Sequence, residues 1–186
     1  MSTPSVFPTF RKIPRLSRPI IITEKIDGTN AVIYIGEDGE FKTGSRNRWI
    51  TPEDDNHGFS SWAYGNISEL LSLGPGLHYG EWWGCGIQRG YGQASKRFSL
   101  FKSDNIPACC ETVPILYSGN FSMEAVDATL AELEQSGSKC APGFMHPEGI
   151  VLYHSAANVR FKKTIDDDDF AKGLIGSTCS RRPGRT

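Results

Sequence analysis

The chain has 186 residues, a length that fits a single domain with a sizeable buried core. Its hydrophobic share of 38% and charged share of 22% are those of a globular protein, and they exclude a disordered chain, a coiled coil and a collagen-like fibre. Its formal net charge of −1 excludes a general polycation, so any contact with nucleic acid has to use a local basic patch.

The beginning of the chain predicts an extended basic arm. Residues 1–19 contain four basic side chains and four prolines but no acidic side chain, a composition that disfavours a helix. They also lack an apolar run long enough for a signal peptide or a membrane span. We therefore expect a cytoplasmic protein without a membrane partner, located in the host cytoplasm if a phage encodes it.

Strand patterns dominate residues 20–170 and predict an α+β domain of mostly antiparallel sheets flanked by helices. A glycine-rich segment at residues 84–93 predicts a flexible connection, and residues 171–186 predict a flexible tail. The strand-like segments are residues 20–23, 30–35, 40–44, 76–83, 97–101, 113–117, 148–154 and 158–164.

Two helices are predicted between these strands. The first is expected to begin at Thr51, because threonine caps helices, Pro52 suits the first position and three acidic residues follow. After a break at His57 and Gly58, apolar residues from Phe59 to Leu71 fall near one helical face that ends at Gly74. Gly65 inside this stretch leaves the helix boundaries open. The second helix is expected to begin after the capping residue Ser122 and to end at Gly137, with apolar residues at helical spacing between them.

The cysteines predict free thiols in a reducing compartment. They are five in number and show no CxxC spacing, which argues against a disulfide framework or a zinc ribbon. A metal site is the less favoured alternative, because two adjacent cysteines suit one tetrahedral ion poorly. Its ligands would be Cys109, Cys110, Cys140 and His146.

A candidate reactive lysine follows the first predicted strand. In the segment EKIDGTN, residues 24–30, Lys25 comes directly after the strand and before a glycine turn, where its amine can project into a cleft. Asp27 follows two residues later. Because the pattern KxDG is short, a surface ion pair between Lys25 and Asp27 is an alternative interpretation.

Further charged residues stand at the ends of apolar strands, namely Glu81, Glu148, Arg160 and Lys162. Alternate residues of a strand share a face, so Arg160 and Lys162 are expected to project together, whereas Val159 and Phe161 face the core. A half-buried sheet with one solvated face would give the same alternation. The order of all these segments along the chain is more specific than any one of them.

That order resembles the covalent nucleotidyltransferases, and most closely the phage RNA ligase two family that includes the trypanosome RNA-editing ligases. The resemblance covers residues 24–163, where EKIDGTN is similar to motif I, GSRNRW to motif Ia, YGEWWGCGIQ to motif III, RFSLF to motif IIIa, EGIVLY to motif IV and VRFKK to motif V. It implies an ATP-grasp-like adenylation domain with the nucleotide in a cleft between antiparallel sheets.

The resemblance also implies roles in catalysis. Lys25 is expected to attack the α-phosphate of ATP and to become a lysyl-AMP phosphoramidate. Glu148 is expected to hold Mg²⁺ or Mn²⁺, since a carboxylate beside phosphate oxygens suits a hard cation. Lys162 and Arg160 are expected to neutralise charge on the reacting phosphates. Motif V commonly carries two lysines, so Arg160 is a departure that supports binding rather than proton transfer.

The remaining implied roles concern binding of ATP and RNA. Phe101 is expected to stack on the adenine, with Phe98 as its rival, and Glu81 is expected to accept a hydrogen bond from a ribose hydroxyl. The full set of expected ATP ligands is Glu24, Lys25, Asn30, Glu81, Phe101 and Lys162. The expected contacts to the RNA end are Arg46 and Asn47.

The resemblance thus predicts a monomeric, ATP-dependent RNA ligase that joins 5′-phosphate and 3′-hydroxyl ends. The alternatives are a DNA ligase or a capping guanylyltransferase of the same superfamily, or a binding module without catalysis. We also expect no separate C-terminal domain, because few residues follow motif V.

Overall fold

Two β-sheets organise the part of the chain that the computed structural model describes, residues 9–10 and 12–166. The strands are β1 (Pro19–Lys25), β2 (Thr29–Ile35), β3 (Phe41–Gly44), β4 (Trp49–Ile50), β5 (Gly76–Gly84), β6 (Lys96–Leu100), β7 (Glu111–Thr112), β8 (Ile115–Asn120), β9 (Gly149–His154) and β10 (Val159–Thr164). The helices are α1 (Phe59–Gly65), α2 (Ile67–Leu70) and α3 (Met123–Ser136), with short 3₁₀ turns at Leu71–Leu73 and Gly90–Gly92.

These elements confirm the predicted α+β class, and each predicted strand segment overlaps a strand of the structure. Only the two-residue strands β4 and β7 have no counterpart in the sequence prediction, because such short segments carry no recognisable periodicity. The predicted tail, residues 171–186, lies outside the described residues.

The smaller sheet has the strand order β10-β9-β1-β8, and all its pairings are antiparallel. Ile20 and Ile22 of β1 are buried on the face that packs against Val126 and Leu133 of α3. The predicted second helix is confirmed: the Ser122 hydroxyl accepts a hydrogen bond from the Ala125 amide, and the helix ends before Gly137. The other face of this sheet is left for the site described below.

The larger sheet has the order β4-β3-β2-β5-β6-β7, antiparallel except for the β6–β7 pair. Its core contains Ile33 of β2, Trp82 of β5 and Phe98 of β6, which pack with Phe59 of α1. Burial of several aromatic side chains in one layer gives this sheet a rigid base. Because β1 runs directly into β2 through residues 26–28, the two sheets meet beside Lys25.

The predicted first helix is wrong at its start. The chain from Thr51 to Gly58 forms bends and turns, and α1 begins only at Phe59. The acidic side chain that serves this helix is Asp55, which accepts hydrogen bonds from the backbone amides of Ser60 and Ser61. Burial opposes ionisation of Asp55, but these hydrogen bonds outweigh it and lower the pKa of the carboxyl.

The predicted apolar face is also divided into separate elements. Helix α1 ends at Gly65, and α2 and a 3₁₀ turn follow. A glycine in a helix interior is unfavourable by about 1 kcal/mol relative to alanine, which accounts for a break at this position.

The described residues 9–10 and 12–18 of the basic arm contain no helix or strand and are exposed, whereas its last residue, Pro19, begins β1. Two backbone carbonyls attach the arm to the smaller sheet, since Leu16 accepts a hydrogen bond from the His154 ring and Arg18 accepts one from the Phe121 amide. No helix within residues 9–10 and 12–166 has the length and apolar character needed to cross a membrane.

The alternative metal site of cysteines and histidine is wrong. Cys109 and Cys110 lie together, with 3.9 Å between their sulfur atoms, but Cys140 packs in a different core cluster. Among the described residues, no three His, Cys, Asp or Glu side chains form a cluster that could hold a metal ion. The four cysteines of this part of the chain are free thiols.

Candidate active site

The register of the smaller sheet brings the predicted cations to one face. Lys25 is opposite Gly149 in β9, and Thr23 is opposite Val151. Lys162 of β10 is in turn opposite Val151, and Arg160 is opposite Tyr153. Because residues that pair across a sheet share a face, Arg160 and Lys162 lie on the face of Lys25, away from α3.

The prediction that Val159 and Phe161 face a core is wrong. Their exposed fractions are 42% and 56%, because β10 is an edge strand and α3 packs on β8 and β9. Lys163 extends from the α3 face, where its ammonium donates to Asp127 over 2.8 Å. The strand therefore places cations on both faces, and only the Lys162 face contains the candidate nucleophile.

Lys25 and Glu148 form the closest charged pair of the site. Lys25 Nζ lies 2.5 Å from Glu148 Oε2, and both side chains are largely buried. Glu148 Oε2 accepts no hydrogen bond of normal geometry from the described residues, although it is shielded from solvent. A buried carboxylate oxygen without a hydrogen-bond donor needs a cation, and Lys25 provides one here.

Glu24, one of the predicted ATP ligands, has its carboxylate engaged within the fold. Its side chain is only 1% exposed, and its carboxylate accepts hydrogen bonds from the Ser138 hydroxyl and from the amides of Lys139 and Cys140. As a neighbour of Lys25 in β1, it projects to the opposite face of the sheet. Its carboxylate therefore anchors residues 138–140 rather than facing the site.

Asn30, Glu81 and Arg46 form a hydrogen-bonded chain across the larger sheet. The Asn30 amide donates to Glu81 Oε2 over 3.3 Å, and Asn30 Oδ1 accepts from Arg46 Nε over 2.9 Å. Burial raises the pKa of Glu81 to about 7, although the charge of Lys25 and a hydrogen bond from the Gly28 amide oppose it. The arrangement orients an amide and a carboxyl that titrates near neutral pH.

A small open cavity of about 150 Å³ lies beside this chain. Phe101 is 41% exposed and forms part of its wall, whereas Phe98 is only 1% exposed and packs in the core. Of the two rival aromatic residues, Phe101 is thus the one available to a ligand. The lining consists of Asn30, Ala31, Val32, Ser45, Arg46, Tyr79, Gly80 and Phe101.

The predicted RNA contacts lie at the edge of this cavity. Arg46 and Asn47 are exposed in the turn between β3 and β4. Only Arg46 is oriented by the hydrogen bond to Asn30 described above, and the neighbouring Arg48 pairs instead with Asp54.

Sequence reasoning missed two residues that support the site, Arg89 and Tyr91. Arg89 Nε lies 3.1 Å from Asp27 Oδ2, and the Tyr91 hydroxyl accepts a hydrogen bond from the Asp27 amide over 2.9 Å. The alternative interpretation, a surface ion pair of Lys25 with Asp27, is wrong, because Lys25 pairs with Glu148 and Asp27 pairs with Arg89. The sequence signal for such a role was Arg89, a basic residue next to glycines in the segment 84–93. The glycines instead led to the prediction of a flexible connection.

The site thus joins an amine, a buried carboxylate, two cations on one sheet face and an aromatic cavity. An amine beside cationic groups is suited to attack on a phosphorus atom, because the cations stabilise the charge that develops on phosphate oxygens.

Comparison with known proteins identifies a family for this chain. The family model described as RNA ligase matches residues 18–165. No curated protein matches the chain.

Solved structures share the fold. A lysine-to-alanine mutant of Naegleria gruberi RNA ligase with ATP and Mn has a TM-score of 0.59 at 20% identity, over 80% of this chain and 49% of that chain. A lysine-to-methionine mutant of the same ligase with AMP and Mn has a TM-score of 0.58 at 20% identity, over 80% of this chain and 50% of that one. This chain spans about half the length of these matched proteins.

Proposed function

This chain belongs to the RNA ligase family, and we propose that it is an ATP-dependent RNA ligase in which Lys25 is the nucleophile. The observation that carries the proposal is the location of Lys25 beside Glu148, on the sheet face that also carries Arg160 and Lys162. The solved relatives with ATP, AMP and Mn support the choice of nucleotide and metal.

In the first step, neutral Lys25 Nζ attacks the α-phosphorus of ATP. A nitrogen–phosphorus bond forms, the bond from the α-phosphorus to the bridging oxygen breaks, and pyrophosphate leaves with the electron pair. The nitrogen then loses a proton to give the lysyl-AMP phosphoramidate. The departing pyrophosphate is a basic anion and can take up that proton.

Two transfers complete the reaction. An oxygen of an RNA 5′-phosphate attacks the phosphorus of lysyl-AMP, the nitrogen–phosphorus bond breaks, and Lys25 regains its proton. A 3′-hydroxyl then attacks the 5′-phosphate, losing its proton as AMP leaves with the bridging oxygen. Each step depends mainly on positioning and charge stabilisation.

Glu148 is the residue proposed to hold Mg²⁺ or Mn²⁺. Its buried Oε2 lacks a hydrogen-bond donor among the described residues, and a hard carboxylate oxygen suits either ion. When bound, the ion would neutralise phosphate charge next to Lys25. One protein carboxylate is compatible with Mg²⁺, which keeps several waters and shares phosphate ligands.

The proposed nucleotide contacts follow the two sheets. Phe101 stacks on the adenine and Glu81 accepts a hydrogen bond from a ribose hydroxyl, with Asn30 held between Glu81 and Arg46. Lys162 and Arg160 neutralise charge on the phosphates. The guanidinium of Arg160 lies 5.0 Å from the Tyr153 ring centroid, which holds this cation in place.

Arg46 and Asn47 are proposed to contact the RNA end from the exposed turn between β3 and β4. A bidentate guanidinium suits phosphate recognition, so Arg46 can bind the 5′-phosphate. The proposed substrates are RNA ends with a 5′-phosphate and a 3′-hydroxyl, and the proposed working form is a monomer that acts in RNA repair.

The test is covalent labelling with ATP that carries ³²P at the α-position, in the presence of Mg²⁺ or Mn²⁺. We expect label on the wild-type chain and on Lys42→Ala, a control lysine that pairs with Glu40 at the surface, but none on Lys25→Ala. Label that persists in Lys25→Ala contradicts the nucleophile. Label from GTP alone would favour a capping enzyme, and joining of DNA but not RNA ends would favour a DNA ligase.

A further inference from the structure

The guanidinium of Arg89 connects the segments next to Lys25 and Glu148, the charged pair of the site. Arg89 Nε donates to Asp27 Oδ2 over 3.1 Å, and a second nitrogen of the same group donates to the backbone carbonyls of His146 and Pro147 over 3.1 and 3.4 Å. The third nitrogen lies 3.4 Å from Asp166 Oδ2. The side chain is 28% exposed, so these contacts are partly shielded from water.

These acceptors flank the residues of the proposed reaction. Asp27 follows Lys25 by two positions, and Pro147 directly precedes Glu148. The hydrogen-bond ladder between β1 and β9 ends at the Lys25–Gly149 pair, so it does not hold the chain beyond that point. Arg89 joins the two segments where the ladder stops, and its planar group sets their separation more narrowly than a flexible amine would.

Tyr91 also contacts the segment after Lys25, at the backbone amide of Asp27. Its hydroxyl accepts the Asp27 amide, while its ring is 1% exposed and packs against Trp83 and Phe144. Tyr91 has a φ of 50° between two glycines that also have positive φ, a conformation that non-glycine residues rarely adopt. This turn of the backbone lets Arg89 and Tyr91, two residues apart, both reach Asp27.

We propose that Arg89 and Tyr91 are positioning residues that fix the segment after Lys25 against the segment before Glu148. This inference rests on the proposed function of Lys25. The contacts described for both residues reach Asp27, and those of Arg89 also reach the backbone before Glu148, so we infer that they act through these segments. Their loss is expected to slow the attack of Lys25 more than it weakens ATP binding.

The kinetic test compares single-turnover labelling by ATP in the wild-type chain, Arg89→Ala, Arg89→Lys and Tyr91→Phe. We expect Arg89→Ala to lower the rate constant at saturating ATP at least tenfold, with less than a twofold change in the half-saturating ATP concentration. Arg89→Lys should recover part of the rate, because it restores the charge with fewer directed donors. Tyr91→Phe retains the buried ring and should lower the rate severalfold.

The matched control is Arg97→Ala. Arg97 lies in β6, pairs with Glu111 and has a similar exposed fraction of 34%, but none of its described polar contacts involves Asp27 or the segment before Glu148. We expect its rate constant to remain within twofold of the wild-type value. Equal rates for Arg89→Ala and Arg97→Ala would overturn the positioning role.

A second measurement does not depend on activity. Amide hydrogen exchange in the absence of ATP should become faster in Arg89→Ala at residues 26–28 and 146–149, and in Tyr91→Phe at the Asp27 amide, with the core of α3 unchanged. Unchanged exchange at these segments would overturn the inference even if labelling fails in every variant. Absence of label from the wild-type chain would instead contradict the proposed function of Lys25.

Discussion

The ammonium of Lys25 lies 2.5 Å from a buried oxygen of Glu148, at the ends of the neighbouring strands β1 and β9. This pair has two consequences for the proposed chemistry. While Nζ contacts this carboxylate it cannot approach a phosphorus atom, so we expect the pair to separate before attack. A divalent ion held by Glu148, as proposed above, would compete with Lys25 for this oxygen. Under that proposal, release of Lys25 would accompany loading of the site.

The two adjacent lysines of β10 provide a matched test of the sheet face. Lys162 shares the face of Lys25, whereas Lys163 extends towards Asp127 of α3. We expect Lys162→Ala to slow covalent labelling by ATP by about 100-fold, since it removes one cation from the developing phosphate charge. Lys163→Ala should retain a rate within about threefold of the wild-type value. Labelling rates measured at saturating ATP compare the two, and equal losses in both variants would contradict the assignment of faces.

Glu24 is expected to contribute to stability rather than to ligand binding. Glu24→Ala leaves the donors of Ser138, Lys139 and Cys140 without their buried acceptor, so we expect the free energy of unfolding to fall by about 3 kcal/mol. Urea denaturation measures this change. The control is Glu132→Ala, an exposed glutamate 4.0 Å from Lys139, which should change the free energy by less than about 0.5 kcal/mol. Similar values for both variants would refute the anchoring role.

Much of the fold could be predicted because its signals are local. The strand periodicity and the capping of α3 by Ser122 depend only on neighbouring residues, and the structure agrees with both. The predicted helix start at Thr51 was wrong because a favourable capping sequence does not by itself determine where a helix begins. Packing of Phe59 against Trp82 and Phe98 determines where α1 begins instead. The carboxylate of Asp55, which precedes the helix, accepts a hydrogen bond from the Ser60 amide in its first turn.

In the site too, features that depend on neighbouring residues could be predicted, whereas those that depend on residues distant in sequence could not. Alternation along β10 was sufficient to place Arg160 and Lys162 together, but it could not show that β10 is an edge strand, which leaves Phe161 exposed. The contact of Arg89 with Asp27 joins residues 62 positions apart, so no local pattern contains it. Glu24 was predicted as an ATP ligand from the resemblance of its segment to motif I, and that motif does not show that its carboxylate lies on the face opposite Lys25.

Phe98 and Phe101 belong to the same motif, but only Phe101 is expected to stack on the adenine, whereas Phe98 packs in the core. Phe101→Ala should raise the half-saturating ATP concentration for labelling about tenfold, because it removes an exposed aromatic wall of the cavity. Its free energy of unfolding should change by less than about 1 kcal/mol. Phe98→Ala should instead destabilise the fold by about 3–5 kcal/mol, since its buried ring packs against Phe59 and Trp62. Labelling titrations and urea denaturation measure the two effects. Weaker ATP binding in Phe98→Ala and lower stability in Phe101→Ala would contradict the assigned roles.

The raised pKa of Glu81 predicts a dependence of stability on pH. Burial raises it from 4.5 to about 7, so between these pH values the unfolded chain loses the proton while the folded chain keeps it. The unfolded state binds fewer protons in this window, and stability falls as the pH rises through it. The difference between pKa values of 4.5 and about 7 corresponds to about 3 kcal/mol.

Glu81→Gln removes this titration while it retains an oxygen that can accept the Asn30 amide. Relative to the wild-type chain, the variant should therefore gain up to about 3 kcal/mol of stability between pH 4.5 and pH 8. Urea denaturation at pH 4.5, 6 and 8 measures the gain. Glu132→Gln is the exposed control and should follow the wild-type curve. A difference between Glu81→Gln and wild type that stays constant with pH would contradict the buried, protonated carboxyl.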